Sequence, residues 1–222
     1  KTTLENAELI KVVYNTFIST KIAMMNTIME TCHYLPNTNV DDVTEALALC
    51  TDRIISKKYL YGGMGDGGGC HPRDNIALSY LARKFKLSYN WYDNIMKQRE
   101  SQTEWLADLI IENKGDRQIN ILGKTFKPET NIITGSPSIL LKNILEEKGE
   151  TVRMWDPWID ATDVMKVKDK YEWDTIPQLF FIGTKHEAFN SFYYMPGCTV
   201  IDPFRYLSVN DDVEYIPLGK ST

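Results

Sequence analysis

The sequence predicts an α/β protein in two parts, an all-helical amino half followed by a small, parallel-stranded, Rossmann-like carboxyl half. Three observations carry that reading. The stretch from Leu4 to Tyr34 has no Pro or Gly and reads as one helix; the pattern changes at Gly115; and beyond it short apolar runs alternate with helical ones, the order that gives a parallel sheet. The boundary is drawn there, 1–114 helical and 115–222 α/β. With 222 residues, 43% of them apolar, the chain has enough material for one large core or two modest ones.

In the first helix Leu9, Ile10, Val12, Val13, Phe17, Ile18, Ile22, Met25, Ile28 and Met29 cover most of the circumference, which predicts burial nearly all round. Pro36 and the Asn-rich stretch after it stop this helix. Val40 to Leu49 begins a second, with two aspartates in its first turn, and Arg53 to Leu60 forms a third segment running into a glycine cluster. Asn75 to Lys86 and the charged run Trp91 to Asn113 complete the helical half, the latter suited to bridging two domains. In the carboxyl half Gln118–Leu122, Thr151–Trp155, Phe180–Gly183 and Thr199–Ile201 read as strands, and Ser138–Lys148 as a helix.

The net charge of −5 offers no general attraction to nucleic acid or anionic membranes. No apolar run is long enough for a membrane span, and KTTLENAELIK lacks the core of a signal peptide, so the cytoplasm is the expected compartment. Cys32, Cys50, Cys70 and Cys198 are too scattered for a disulfide framework. Cys32-His33 with Cys70-His71 does not have zinc spacing, so no metal site is expected. Lys1 enters a helical pattern almost at once, which reads as a truncated or processed chain.

Chemistry concentrates in GGMGDGGGCHPRD, Gly62 to Asp74, where six of the eight residues before Cys70 are glycine. A glycine run of this kind lets another group approach the backbone closely. Pro72 and Asp74 suit a helix start, which puts Cys70 just before a helix N-terminus and beside Arg73, and both favour a thiolate. A tight turn holding an unreactive cysteine remains the alternative. The superficial G-x-G-x-x-G match fails because Lys57, Lys58 and Tyr59 end a helix rather than a strand. Gly123-Lys124-Thr125 fails as a phosphate loop because Gln118 stands where the first glycine is required. On the first helix Lys11 and Asn15 lie one turn apart on one face. The lysine either snorkels to water or, with the Asn15 amide, stabilises an oxyanion, and spacing does not choose.

AELIKVVYN, DRIISKKYL, GGCHPRD and ILGKTFKPET together, in this order and spacing, resemble the UDP-glucose/GDP-mannose dehydrogenase family over nearly the whole chain. The resemblance implies a helical central domain that mediates dimerisation and a UDP-binding domain after it. The implied reaction is oxidation of a sugar C6 alcohol to a carboxylate in two steps with NAD. Cys70 matches the covalent nucleophile, Lys11 and Asn15 the residues that stabilise the oxygen of its intermediates, and Asp74 the acid that positions and activates water. Tyr61, Gly65 and Gly67 match the backbone that wraps the nucleotide sugar, Phe126 and Lys127 a contact from the carboxyl domain, and Arg53 an arginine reaching a neighbouring subunit's site. Arg73 is assigned toward the cofactor. Thr134 stands near the place of a family arginine that contacts NAD. Asp202-Pro203-Phe204-Arg205 replaces a family Asp-Gly-Arg, leaving Arg205 as a displaced substrate contact.

Relatives begin with an NAD-binding domain, none of which precedes Lys1, so the chain alone is expected to be inactive. UDP-glucose is the first-choice substrate, with a UDP-N-acetylhexosamine or GDP-mannose as alternatives. Two other readings compete: a non-catalytic nucleotide-sugar-binding and dimerising module, and a cysteine hydrolase. The hydrolase lacks a placed base, since His71 is adjacent to Cys70 in sequence and tends to point away, while His33 and His186 are unplaced.

Overall fold

The computed structural model describes residues 2–51, 61–66, 68–84, 86, 90–160 and 173–220. The expected segment Arg53–Leu60, and with it Arg53, lies outside the described residues, as does Gly67.

The helices are α1 (Leu4–Tyr34), α2 (Val40–Ala48), α3 (Cys70–Lys84) and α4 (Trp91–Lys114). Absence of breakers sets the length of α1. α2 starts where the Asn39 side chain accepts a 3.0 Å hydrogen bond from the Asp41 N–H, satisfying one of the orphan donors of its first turn. α3 begins at Cys70, five residues before the predicted start, because a proline within the first turn lacks only an N–H that would go unbonded there.

The α/β part comprises β1 (Ile119–Leu122), α5 (Pro137–Glu147), β2 (Val152–Trp155), β3 (Leu179–Ile182), a 3₁₀ turn at Glu187–Phe189, β4 (Thr199–Asp202) and β5 (Glu214–Pro217). All pairings are parallel, in the order β2-β1-β3-β4-β5. β1, β3 and β4 are buried along their whole length, as expected of central strands covered on both faces. β5 was not predicted: half-exposed and ending in Pro217, it has the irregular pattern of an edge strand. The core of this sheet is aromatic, with Trp155, Trp173, Phe180, Phe189, Phe192 and Tyr194 packed edge to face.

By contact the chain forms two compact units, residues 1–102 with 219–222, and residues 103–218. The second unit begins at Thr103, inside α4, and takes in the fully buried Leu106, Ala107 and Ile110. The end of the chain returns to the first unit, where the Val40 N–H donates to the Gly219 carbonyl (2.9 Å).

α1 departs from its expected burial. Ile18, Met25, Met29 and Cys32 are buried, but Leu9, Ile10, Val13, Tyr14, Phe17 and Met24 are between 45% and 64% exposed. α2 and α3 are too short to cover a helix of this length on all sides, so much of the apolar circumference faces outward. Cys50 lies just beyond the end of α2 and is exposed.

Candidate active site

Cys70 is the first residue of α3 and is exposed, whereas Cys32 and Cys198 are buried. One turn further along α3, Asp74 is buried and points at α1. Its Oδ2 accepts hydrogen bonds from Lys11 Nζ (2.7 Å) and Asn15 Nδ2 (2.5 Å). Burial alone raises this carboxyl, but the Lys11 and Asn15 hydrogen bonds and the lysine charge together hold it below the usual carboxylate range. The Lys11 side chain is 55% exposed, so it is not the buried lysine that the apolar helix suggested. Its ammonium reaches Asp74 while the side chain remains more than half exposed to solvent. Arg73, 66% exposed, makes only a long contact to Asp74 (Nε to Oδ1, 3.4 Å).

The stripe Lys11–Asn15 continues to Ser19, a buried hydroxyl 2.7 Å from His71 Nδ1. Burial lowers the His71 imidazole, Asp74 raises it and Lys11 lowers it. The ring therefore faces α1, and the i, i+4, i+8 face of that helix meets His71 and Asp74 in the first turn and a half of α3.

Ahead of Cys70, Gly62 lies so close to α1 that a Cβ would stand 2.8 Å from Met29 Cβ, and Gly65 has a φ of 75° that favours glycine. Two buried side-chain amides absent from the sequence expectations, Asn26 of α1 and Gln102 of α4, hydrogen-bond to Gly63 and Gly65. The Gly65 N–H, expected to face a nucleotide sugar, donates to Gln102 Oε1 at 3.3 Å. Asp66, buried, lies 3.1 Å from Arg99 Nε. Tyr61 is exposed.

In the second unit Phe126 follows β1 and is tied back by its N–H to the Ile132 carbonyl (3.2 Å), with the exposed Lys127 ammonium over its ring at 5.4 Å. Arg205 is half-buried with φ 58°, and its guanidinium bonds the carbonyls of Pro203 and Leu218 (3.2 Å to the latter). It is folded onto its own loop instead of projecting outward. That loop is anchored by Asp202, which accepts from the N–H groups of Phe204, Tyr206 and Leu207.

The carboxyl ends of β1, β2 and β3, where open α/β sheets commonly bind ligands, are closed by a residue the sequence did not single out. Asp156 accepts from the N–H groups of Lys124 (2.7 Å), Thr125 (3.0 Å) and Trp158 (2.8 Å), from the Thr125 hydroxyl, and from His186 Nε2 at 3.2 Å. Desolvation raises its carboxyl, but these donors, His186 foremost, hold it far below the ordinary range. Among the described residues no group of three or more His, Cys, Asp or Glu is placed to hold a metal ion, and no helix is long and apolar enough to cross a membrane.

Comparison with known proteins agrees with this architecture. The chain is 32% identical over 160 residues to the UDP-glucose 6-dehydrogenase TuaD of Bacillus subtilis, covering 71% of this chain and 34% of that protein. To the UDP-glucose 6-dehydrogenase of Rickettsia prowazekii it is 32% identical over 160 residues, covering 70% and 36%. It thus spans about a third of the curated relatives it matches. In fold it is similar to a UDP-glucose dehydrogenase from the archaeon Pyrobaculum islandicum (TM-score 0.81, 22% identity, 98% of this chain and 51% of that one). It is also similar to a UDP-D-ManNAc dehydrogenase from Pyrococcus horikoshii (TM-score 0.77, 23% identity, 96% and 52%). Residues 5–100 match the central domain and residues 120–208 the UDP binding domain of one family. The chain belongs to the UDP-glucose/GDP-mannose dehydrogenase family.

Proposed function

We propose that this chain carries the covalent half of a nucleotide-sugar dehydrogenase that oxidises the C6 alcohol of UDP-glucose to UDP-glucuronate with NAD. The observation that supports it most is an exposed cysteine opening a helix whose next turn presents a carboxylate gripped by a lysine and an amide. The overall change takes one alcohol, two NAD and one water to one carboxylate and two NADH, with three protons released. After the first two-electron oxidation, the Cys70 thiol adds to the C6 aldehyde, forming a C–S bond and placing the thiol proton on the new oxygen. The second two-electron oxidation leaves a thioester. Water attacks its carbonyl carbon, the C–S bond breaks, and Cys70 is regenerated.

Lys11 and Asn15 are the donors for the oxygen that gains charge in the addition and hydrolysis steps. Asp74, held low, is a weak proton acceptor, so its part is to orient water and the Lys11 ammonium rather than to store a proton for long. NAD supplies the electron acceptor. Of the residues present, Arg73 fits its anionic portion, being a largely exposed guanidinium with only a long contact. Tyr61, Gly67, Phe126 and Lys127 serve the nucleotide sugar, Lys127 as the cation for its pyrophosphate, whereas Gly65, whose N–H and carbonyl are bonded to Gln102 and Asn26, offers it only the close approach that a residue without a side chain allows. Arg53 serves it from a second copy, and Arg205 is the weakest of these assignments because its guanidinium is already bonded. A UDP-N-acetylhexosamine or GDP-mannose is the alternative substrate.

The decisive assay is sugar-acid formation by the whole protein. Cys70→Ala should abolish it, and near-normal acid from that variant would remove the covalent role. The outward apolar face of α1 supports a homodimer. Light scattering should read twice the chain mass, and a monomer at high concentration would sink that assignment.

A further inference from the structure

We propose that Asn26 and Gln102 are positioning residues, a pair of side-chain amides that set the shape of the loop leading to Cys70 by saturating the backbone of Gly63 and Gly65. Asn26 Oδ1 accepts from the Gly63 N–H (2.9 Å) while its Nδ2 donates to the Gly65 carbonyl (2.7 Å). Gln102 does the reverse: its Nε2 donates to the Gly63 carbonyl (2.8 Å) and its Oε1 accepts from the Gly65 N–H (3.3 Å). A backbone N–H only donates and a carbonyl only accepts, so the four bonds fix the orientation of both amides. Asn26 Nδ2 also lies 3.5 Å from Gln102 Oε1, so the two act as one unit.

Several features show that the loop is shaped from outside. Asn26 and Gln102 are 1% and 2% exposed, and neither glycine uses a backbone–backbone bond among the described residues. Gly62 is pressed against Met29, one turn along α1 from Asn26. Asp66, the next residue after Gly65, is closed over by Arg99, one turn before Gln102 on α4. Bracing therefore comes from two helices at once, and four residues later the chain presents Cys70. A side chain that merely filled space needs no polar atoms here, and burying two amides is favourable only if all their partners are met. The consequence is one backbone shape at Gly63–Gly65, the turn from which the chain goes on to Cys70.

The inference rests on the reading of Cys70 as nucleophile only for its effect on turnover, so the experiment has a ligand-free arm. In the whole protein, the alkylation rate of Cys70 by iodoacetamide is measured against that of the exposed Cys50 as internal reference, for wild type, Gln102→Met, Asn26→Asp and the double variant. Each folded single variant should shift the ratio by about tenfold, the scale of one lost hydrogen bond. The double variant should add little, because both amides hold the same two glycines. A ratio within about twofold of wild type in a cooperatively melting variant, or full additivity, would overturn the proposal, those being the signatures of independent sites. Two melting curves showing that neither single variant folds would assign the amides to core stability and overturn it too. Protection of wild-type Cys70 by UDP-glucose tests the functional reading separately: without protection that reading fails, while the clamp still stands or falls on the ratio. Where protection is seen, the variants should raise KM for UDP-glucose while a cooperative melt is retained.

Discussion

Asp74 and Asp156 are both buried carboxylates held below their usual range, yet their surroundings differ in kind. Asp74 is gripped by side chains, one of them a lysine more than half exposed. Asp156 is gripped mainly by backbone N–H groups from Lys124, Thr125 and Trp158, with a buried threonine and histidine closing the ring. Side-chain donors on flexible stems can turn to an incoming oxygen. Backbone donors just past the ends of β1 and β2 cannot move without moving the sheet. Under the proposed function, the contrast is between a carboxylate that takes part in the chemistry and one that fastens a fold.

The comparison breaks most visibly if Asp156 is removed. Asp156→Ala leaves backbone donors at the ends of β1 and β2 unpaired, and is expected to destabilise the second unit by about 3–5 kcal/mol, read from chemical denaturation of the sheet. The pH dependence follows from sign. A carboxyl held low in the folded state stays ionised after the unfolded chain, with its value of about 3.9, has begun to bind protons. Stability from Asp156 is thus present above about pH 4 and is lost progressively as pH falls toward the folded-state value. Asp156→Asn should flatten that acid limb, and an unchanged limb would deny the carboxylate its role.

A smaller effect on stability, but a larger one on chemistry, is expected at Asp74. Asp74→Asn keeps the shape and one acceptor for Lys11 or Asn15, so folding should change by no more than about 1 kcal/mol, the scale of a pair with an exposed partner. Turnover of the whole protein should fall by about 10²-fold, the scale of a positioned proton-handling group. A variant that unfolds as readily as Asp156→Ala, with turnover per folded molecule intact, would make the two aspartates alike.

Much of the architecture was legible because its signals are local. The absence of Pro and Gly marks all of α1, and alternating apolar runs mark four of the five strands. β5 escaped because an edge strand ending in Pro217 has no continuous apolar run. The covering of α1 was overread, since an apolar circumference records what a helix avoids and not what lies against it within one chain. At the site, Lys11, Asn15 and Asp74 come together through the tertiary packing of α1 on α3, which spacing alone could only half foretell. Asn26 carried a faint signal as an amide in the apolar run MMNTIM. Gln102 carried none, because a glutamine in a charged helix is ordinary until its partners are known. Asp156 and His186 were equally silent, lying 30 residues apart.

The amide clamp also bears on how the molecule is built in time. Its four bonds to Gly63 and Gly65 join residues 37 or 39 positions apart, and among the described residues neither glycine has a local backbone–backbone bond to nucleate the turn. α1 can form early on its own short-range contacts and offers Asn26, but the second amide, Gln102, and its two bonds are missing until α4 has been made and docked. If the clamp holds, the turn at Gly63–Gly65 is expected to be complete only once α4 has docked, so a nascent chain that lacks α4 should show an altered Cys70 alkylation rate.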